Sequence, residues 1–175
     1  MDLEDSEFLR FVESANKNDL KFMIIGGMAL NLHGILRHTK DADIWIRPSN
    51  DNKLRFLKTL LAIDYTENEI AEIERQNFTE PQVFTLVGPI DVLTVIHKKF
   101  DFDECYQRSR VQQIQEHTIR LLHINDLREV KVLAKRNQDL RDVIMIDDFL
   151  KDTQPDSKPK NSWERLLFWN KNKNK

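Results

Sequence analysis

Cysteine is almost missing from this sequence. Cys105 is the only one in 175 residues, so no disulfide framework can form within the chain and a cysteine-based zinc cluster is excluded. Long hydrophobic runs are missing too. The apolar stretches last only a few residues, far short of the roughly 20 that a membrane-spanning helix needs. There is no strong charge of either sign, with 27 Lys and Arg against 29 Asp and Glu. Binding to polyanions through bulk charge is therefore disfavoured. The N-terminus, MDLEDSEFLR, is acidic where a signal peptide would be basic and then apolar. These absences lead us to expect a soluble cytoplasmic protein with no membrane partner. What is present suits a folded domain: 40% hydrophobic and 32% charged residues can build a core and solvate a surface.

The length fits one domain of ordinary size, placed here at residues 1–150. Residues 151–175 hold seven basic and three acidic side chains. They read as a linker containing Pro155 and Pro159, followed by a basic and aromatic tail helix around Trp163, Leu166, Leu167 and Trp169. That helix is expected to dock on its own domain, with a partner or dimer contact as the alternative.

Within 1–150 the periodicity gives a definite order. Phe8, Leu9, Phe11, Val12 and Ala15 predict a helix over 5–18. Residues 22–25 form a short apolar strand, stopped by Gly26 and Gly27. A helix then runs to Gly34, and a strand at 42–47 ends at Pro48. Ser49 to Asp51 cap the next helix. Residues 66–76 are ambiguous between helix and strand. QVFTLV and IDVLTVI are strands joined by a tight turn at Gly88-Pro89. A helix at 101–109, a strand pair turning near Glu116, a helix capped by Asn125 or Asp126, and a helix beginning at Asp139 complete the pattern. Early strands are each followed by helices and later strands are paired. The fold class is α/β or α+β, with a mixed sheet flanked by helices and ending in C-terminal helices.

The chemistry concentrates between Ile25 and Ile46. A diglycine between a strand and a helix lets a ligand approach the backbone, and the N–H groups of a helix start favour phosphate. Asp41 and Asp43 lie two apart at the start of a strand, so they share a face with Cα atoms roughly 6–7 Å apart. The residues that follow, Ile44, Trp45 and Ile46, mark this strand as buried. Asp91 opens a second apolar strand. If the two strands are neighbours, three carboxylates converge, and such charges need cations. Two divalent ions about 3.5–4 Å apart are a standard device for phosphoryl transfer. Oxygen-only ligation fits Mg²⁺ or Mn²⁺ rather than zinc.

Taken in order, GGMAL at 26–30, HG at 33–34, Arg37-x-Thr39, Asp41-x-Asp43 and Asp91 resemble the nucleotidyltransferase superfamily. The style is that of the minimal bacterial group that includes nucleotidyltransferase-like toxins of toxin–antitoxin systems. The resemblance spans roughly residues 20–150 and takes in Lys131, Arg136, Asp139 and Asp142. It departs from the family at Lys135 to Gln138, where Gly often precedes the Arg and Pro-Lys often follows it. The resemblance implies that Gly26 and Gly27 hold nucleotide phosphates. Asp41, Asp43 and Asp91 would bind Mg²⁺ (or Mn²⁺), Asp91 could accept the proton of the attacking hydroxyl, and Arg37, Thr39 and Lys131 would contact nucleotide or phosphate. It further implies transfer of a nucleoside monophosphate from an NTP such as ATP to a hydroxyl on RNA (tRNA included), protein or a small molecule such as an antibiotic. A dimer or a cognate antitoxin is a further expected partner. The rival from another class is a nucleotide-binding or antitoxin-like module without turnover.

Some conspicuous residues read more simply as structural. Lys131, Lys135 and Arg128 share a helix face that could be merely solvated. Asp139 suits a helix start, and Asp142 could pair with Arg136 or Arg141. His33 reads as a packing histidine, and Cys105 has no nearby base.

Overall fold

The computed structural model describes residues 5–153. Among them, six strands form one mixed sheet in the order β3-β4-β2-β1-β6-β5, and seven helices surround it. The protein is an α+β fold. Of the expected linker and tail helix at 151–175, everything from residue 154 onward lies outside the described residues. Among the described residues, no helix is long and apolar enough to cross a membrane.

The first helix, α1 (Ser6–Lys17), starts at Asp5, whose carboxylate accepts from the backbone of Glu7 and Phe8. It buries Phe8, Phe11, Val12 and Ala15. Strand β1 (Phe22–Ile25) is buried along its whole length, as a central strand should be. Helix α2 (Gly26–His33) follows with no intervening turn and ends at Gly34 in the left-handed conformation. The diglycine thus forms the first turn of the helix rather than a loop before it. Strand β2 (Ala42–Ile46) runs antiparallel to β1. Helix α3 (Asn50–Leu61) is capped by Ser49 as expected. The ambiguous stretch is a helix, α4 (Glu67–Glu74), decided by a capping box between Thr66 and Glu69.

The Gly88-Pro89 hairpin joins β3 (Val83–Leu86) to β4 (Ile90–Leu93), and β4 lies parallel to β2. Helix α5 (Phe102–Arg108) leads into the pair β5 (Arg110–Ile114) and β6 (His117–Leu121), and β6 lies parallel to β1. Helix α6 (Ile124–Ala134) is capped by the His123 side chain, which accepts from the Asn125 N–H, and not by Asn125 or Asp126. Asp126 is occupied elsewhere, accepting two hydrogen bonds from Arg108. The last described helix, α7 (Asn137–Thr153), begins two residues before Asp139 and continues past residue 150.

Register pairs share a face of the sheet. Phe22, Ile24, Ala42, Ile44, Ile46, Ile90 and Val92 line one face and are buried. Aromatic contacts close this face: Phe11 of α1 meets Phe22 edge-on, and Phe56 of α3 meets Phe84. On the other face Trp45 packs edge-on against Phe102 of α5, with ring centroids 5.0 Å apart. That face is left open over the outer strand, where Val83 and Thr85 are exposed.

Asn52 of α3 ties the ends of two strands together. Its Oδ1 accepts from Lys21 N at 2.8 Å, and its Nδ2 donates to the carbonyls of Lys21 and Arg47 at 3.0 and 3.1 Å. The side chain is 2% exposed, so truncation strands backbone groups away from water. Asn52→Ala is expected to destabilise the protein by about 2–3 kcal/mol. Urea denaturation checks this, and a loss below about 0.5 kcal/mol, the usual range of surface changes, would contradict the role given to Asn52.

Candidate active site

Four strands contribute to one lateral row. Ile25 pairs with Asp43, Asp43 with Asp91, and Asp91 with Thr85. Asp43 and Asp91 therefore stand side by side on the same face, at the mouths of two parallel strands. Asp41 precedes β2 by one residue, and its Oδ1 accepts from the Thr39 hydroxyl at 2.8 Å. Asp91 Oδ1 accepts from the Thr85 hydroxyl at 2.7 Å. Burial pushes the Asp43 carboxyl above its ordinary range, and the charges of Asp41 and Asp91 push it the same way, opposed by Lys131 and Arg136.

The start of α2 completes this edge. Gly26 has φ +63°, and a Cβ there would lie 1.9 Å from Asp43 Oδ2. A Cβ on Gly27 would lie 2.8 Å from Thr39 Oγ1. Both glycines are thus explained by close approach to residues of the nominated site. No side chain caps α2, and its first turn holds no acid, so the positive end of the helix dipole lies beside the Asp43 carboxylate held against Gly26.

Lys131 is not on a solvated face. It is 6% exposed, with Nζ 3.2 Å from Asp139 Oδ1 and 2.7 Å from Asp142 Oδ2. The second approach is a charge contact, because Asp142 Oδ2 has no aligned hydrogen bond. Arg37 Nε reaches Asp142 Oδ1 at 3.0 Å, and Arg136 Nε reaches Asp139 Oδ2 at 2.6 Å. Asp142 thus pairs with Arg37 and Lys131, not with Arg136 or Arg141. Burial pushes Asp139 up, but hydrogen bonds from Arg136 and Lys131 outweigh it and hold its carboxyl below the ordinary range. Lys135 is the exposed left-handed cap of α6, and Arg128 pairs with Asp147. His33 is a buried packing residue, its Nε2 2.9 Å from the Leu122 carbonyl. Burial pushes the Cys105 thiol up to about 11, which makes it a poor nucleophile.

The structure therefore sets Asp43 beside Asp91 and places Gly26 against Asp43 and Gly27 against Thr39. Thr39 uses its hydroxyl on Asp41, and Arg37 and Lys131 meet on Asp142. Among the described residues, no three Asp, Glu, His or Cys side chains are gathered into a ready metal cage. The donor set is nonetheless all oxygen and concentrates like charge, which suits a hard divalent cation. The sequence reading missed Thr85. Folding the hairpin about Gly88-Pro89 would have found it, because that operation sets Thr85 opposite Asp91.

Gly26→Ala combines strain at positive φ with a collision on Asp43. It is expected to cost about 2–4 kcal/mol, of which the backbone accounts for about 1–2. Adding Asp43→Ala should recover the rest. A double-mutant cycle by chemical denaturation measures the coupling, and purely additive losses would show that Gly26 does not answer to Asp43.

No curated protein matches the sequence. Residues 6–153 match the model of a family described as nucleotidyltransferases of unknown function, DUF6036, and the chain belongs to that family.

Proposed function

We propose that this protein is a metal-dependent nucleotidyltransferase that moves a nucleoside monophosphate from an NTP to a hydroxyl acceptor. The observation that carries this reading is the register pair Asp43 and Asp91, two carboxylates side by side at strand mouths, with Gly26 held against one of them. The family description supports the reaction class. Asp41, Asp43 and Asp91 would hold Mg²⁺ or Mn²⁺. The bound ion would neutralise charge on the attacking and leaving oxygens.

The chain's own residues supply the rest. The start of α2, with Gly26 and Gly27, would receive the triphosphate on its backbone N–H groups. Lys131 and Arg37, fixed through Asp142, would add positive charge beside it, and Thr39 would keep Asp41 oriented at the edge of that cradle. Asp91 would take the proton of the acceptor hydroxyl as its oxygen bonds to the α-phosphorus. The bond from that phosphorus to the bridging oxygen then breaks and pyrophosphate leaves. Because the face opens toward Val83 and Thr85, a macromolecular acceptor, RNA or protein, can reach the carboxylates as readily as a small hydroxyl compound. Transfer to RNA or protein would be the toxin-like outcome.

The test is transfer of α-labelled NTPs, with and without Mg²⁺ or Mn²⁺, to tRNA, protein and small hydroxylated compounds. Asp43→Asn should lower transfer by about 10²–10³-fold, the usual effect of losing one well-placed electrostatic group. An undiminished rate would sink the mechanism.

The same variant carries a stability prediction. Asp43 has a raised pKa in the folded state, so its ionisation weighs against folding once the pH exceeds the unfolded value. Stability is lost as pH rises through the folded pKa. In EDTA, Asp43→Asn should therefore melt above wild type at neutral pH, and the gap should close as the pH falls below the ordinary carboxylate range. A gap that widened on acidification would contradict the environment assigned to Asp43.

A further inference from the structure

We infer that Thr85 is a positioning residue that aims Asp91 at the metal site, an inference that rests on the metal-dependent reading above. Thr85 sits on β3, on the far side of Asp91 from Asp43, in the same lateral row. Its hydroxyl donates to Asp91 Oδ1 at 2.7 Å. The two oxygens of a carboxylate diverge, so anchoring Oδ1 on the β3 flank turns the other toward β2 and Asp43. Without that anchor, repulsion from the carboxylate directly opposite favours rotation of Asp91 toward solvent. The hydrogen bond thus holds Asp91 in an orientation its own electrostatics oppose.

Among the described residues, the Thr85 hydroxyl has Asp91 as its partner and no other. Thr85 is exposed, and its neighbour on the same face, Val83, is 64% exposed. A strand at the sheet edge would accept valine equally well, since both residues are β-branched. Thr39 makes the parallel contact to Asp41, but it also packs against Gly27, so only at Thr85 can orientation be separated from packing. Hydrogen-bond partners of metal-binding carboxylates typically matter by 10–100-fold in affinity.

The experiment titrates the full chain with Mn²⁺ alone, following free ion by electron paramagnetic resonance, for wild type, Thr85→Val and Thr85→Ser. Thermal unfolding in EDTA accompanies each titration. Thr85→Val is expected to bind Mn²⁺ about 10-fold or more weakly while melting with wild type, and Thr85→Ser should bind close to wild type. In an Asp91→Asn background, Thr85→Val should add no further loss. Unchanged binding by Thr85→Val, a serine variant as weak as the valine one, or an equal further loss without Asp91 each overturns the inference alone. A wild type that takes up no Mn²⁺ overturns the metal-dependent reading and the inference with it.

Discussion

The site depends on one constraint, the register that sets Asp43 directly opposite Asp91. Like charges in that relation destabilise a strand pair, yet both strands are otherwise apolar and central to the sheet. Slipping either strand by one residue would separate the carboxylates but turn one of them into the aromatic core on the opposite face. That slip is resisted at its origin. The Ala42 N–H donates to the Pro89 carbonyl at 2.8 Å, fastening the hairpin turn to the start of β2. Gly26 is the matching concession on the other flank, because any side chain there would occupy the place of Asp43 Oδ2.

A second cluster answers this concentration of negative charge. Arg37, Lys131 and Arg136 surround Asp139 and Asp142, three cations on two anions. The remaining positive charge is felt at Asp43, whose carboxyl Lys131 and Arg136 both draw downward against its burial. Buried ion pairs are weak evidence for stability, since desolvation offsets most of the Coulomb gain. Their consequence here is geometric. Asp142 joins the segment after α2 to α6, fixing two cations relative to the glycine-bearing helix.

Local chemistry made much of this legible in the sequence. The strand carrying Asp43, the Gly88-Pro89 hairpin and the Ser49 cap each follow from a few adjacent residues, and the structure has them where they were expected. The α4 segment was ambiguous because mainly Ile70 and Ile73 face the core, too few apolar positions to declare a period. The cap of α6 is not legible because His123 accepts a backbone hydrogen bond that Asn and Asp side chains take more often. For Asp142, spacing ranks the local Arg136 and Arg141 first. Its partners are Lys131 and Arg37, the latter 105 residues away, and only the tertiary fold brings Arg37 and Asp142 together. The same reasoning explains Thr85, whose meaning lies in a register pair and not in a motif.

The two faces of the sheet divide the work that makes this arrangement tolerable. On one, Phe11, Phe22, Phe56, Phe78 and Phe84 interlock, and Asn52 clasps the ends of β1 and β2. That face fixes the backbone independently of the carboxylates. The other face can then hold like charges and an uncapped helix start that no isolated hairpin would keep in place, because unfavourable local arrangements persist only where their surroundings over-determine them. Rigidity of the sheet is also what electrostatic catalysis needs at the strand mouths that carry the carboxylates. Charges already fixed before substrate arrives require no reorganisation as the reaction proceeds. The register therefore connects fold to function: burial along both faces fixes the strands, and the strand mouths hold the charge.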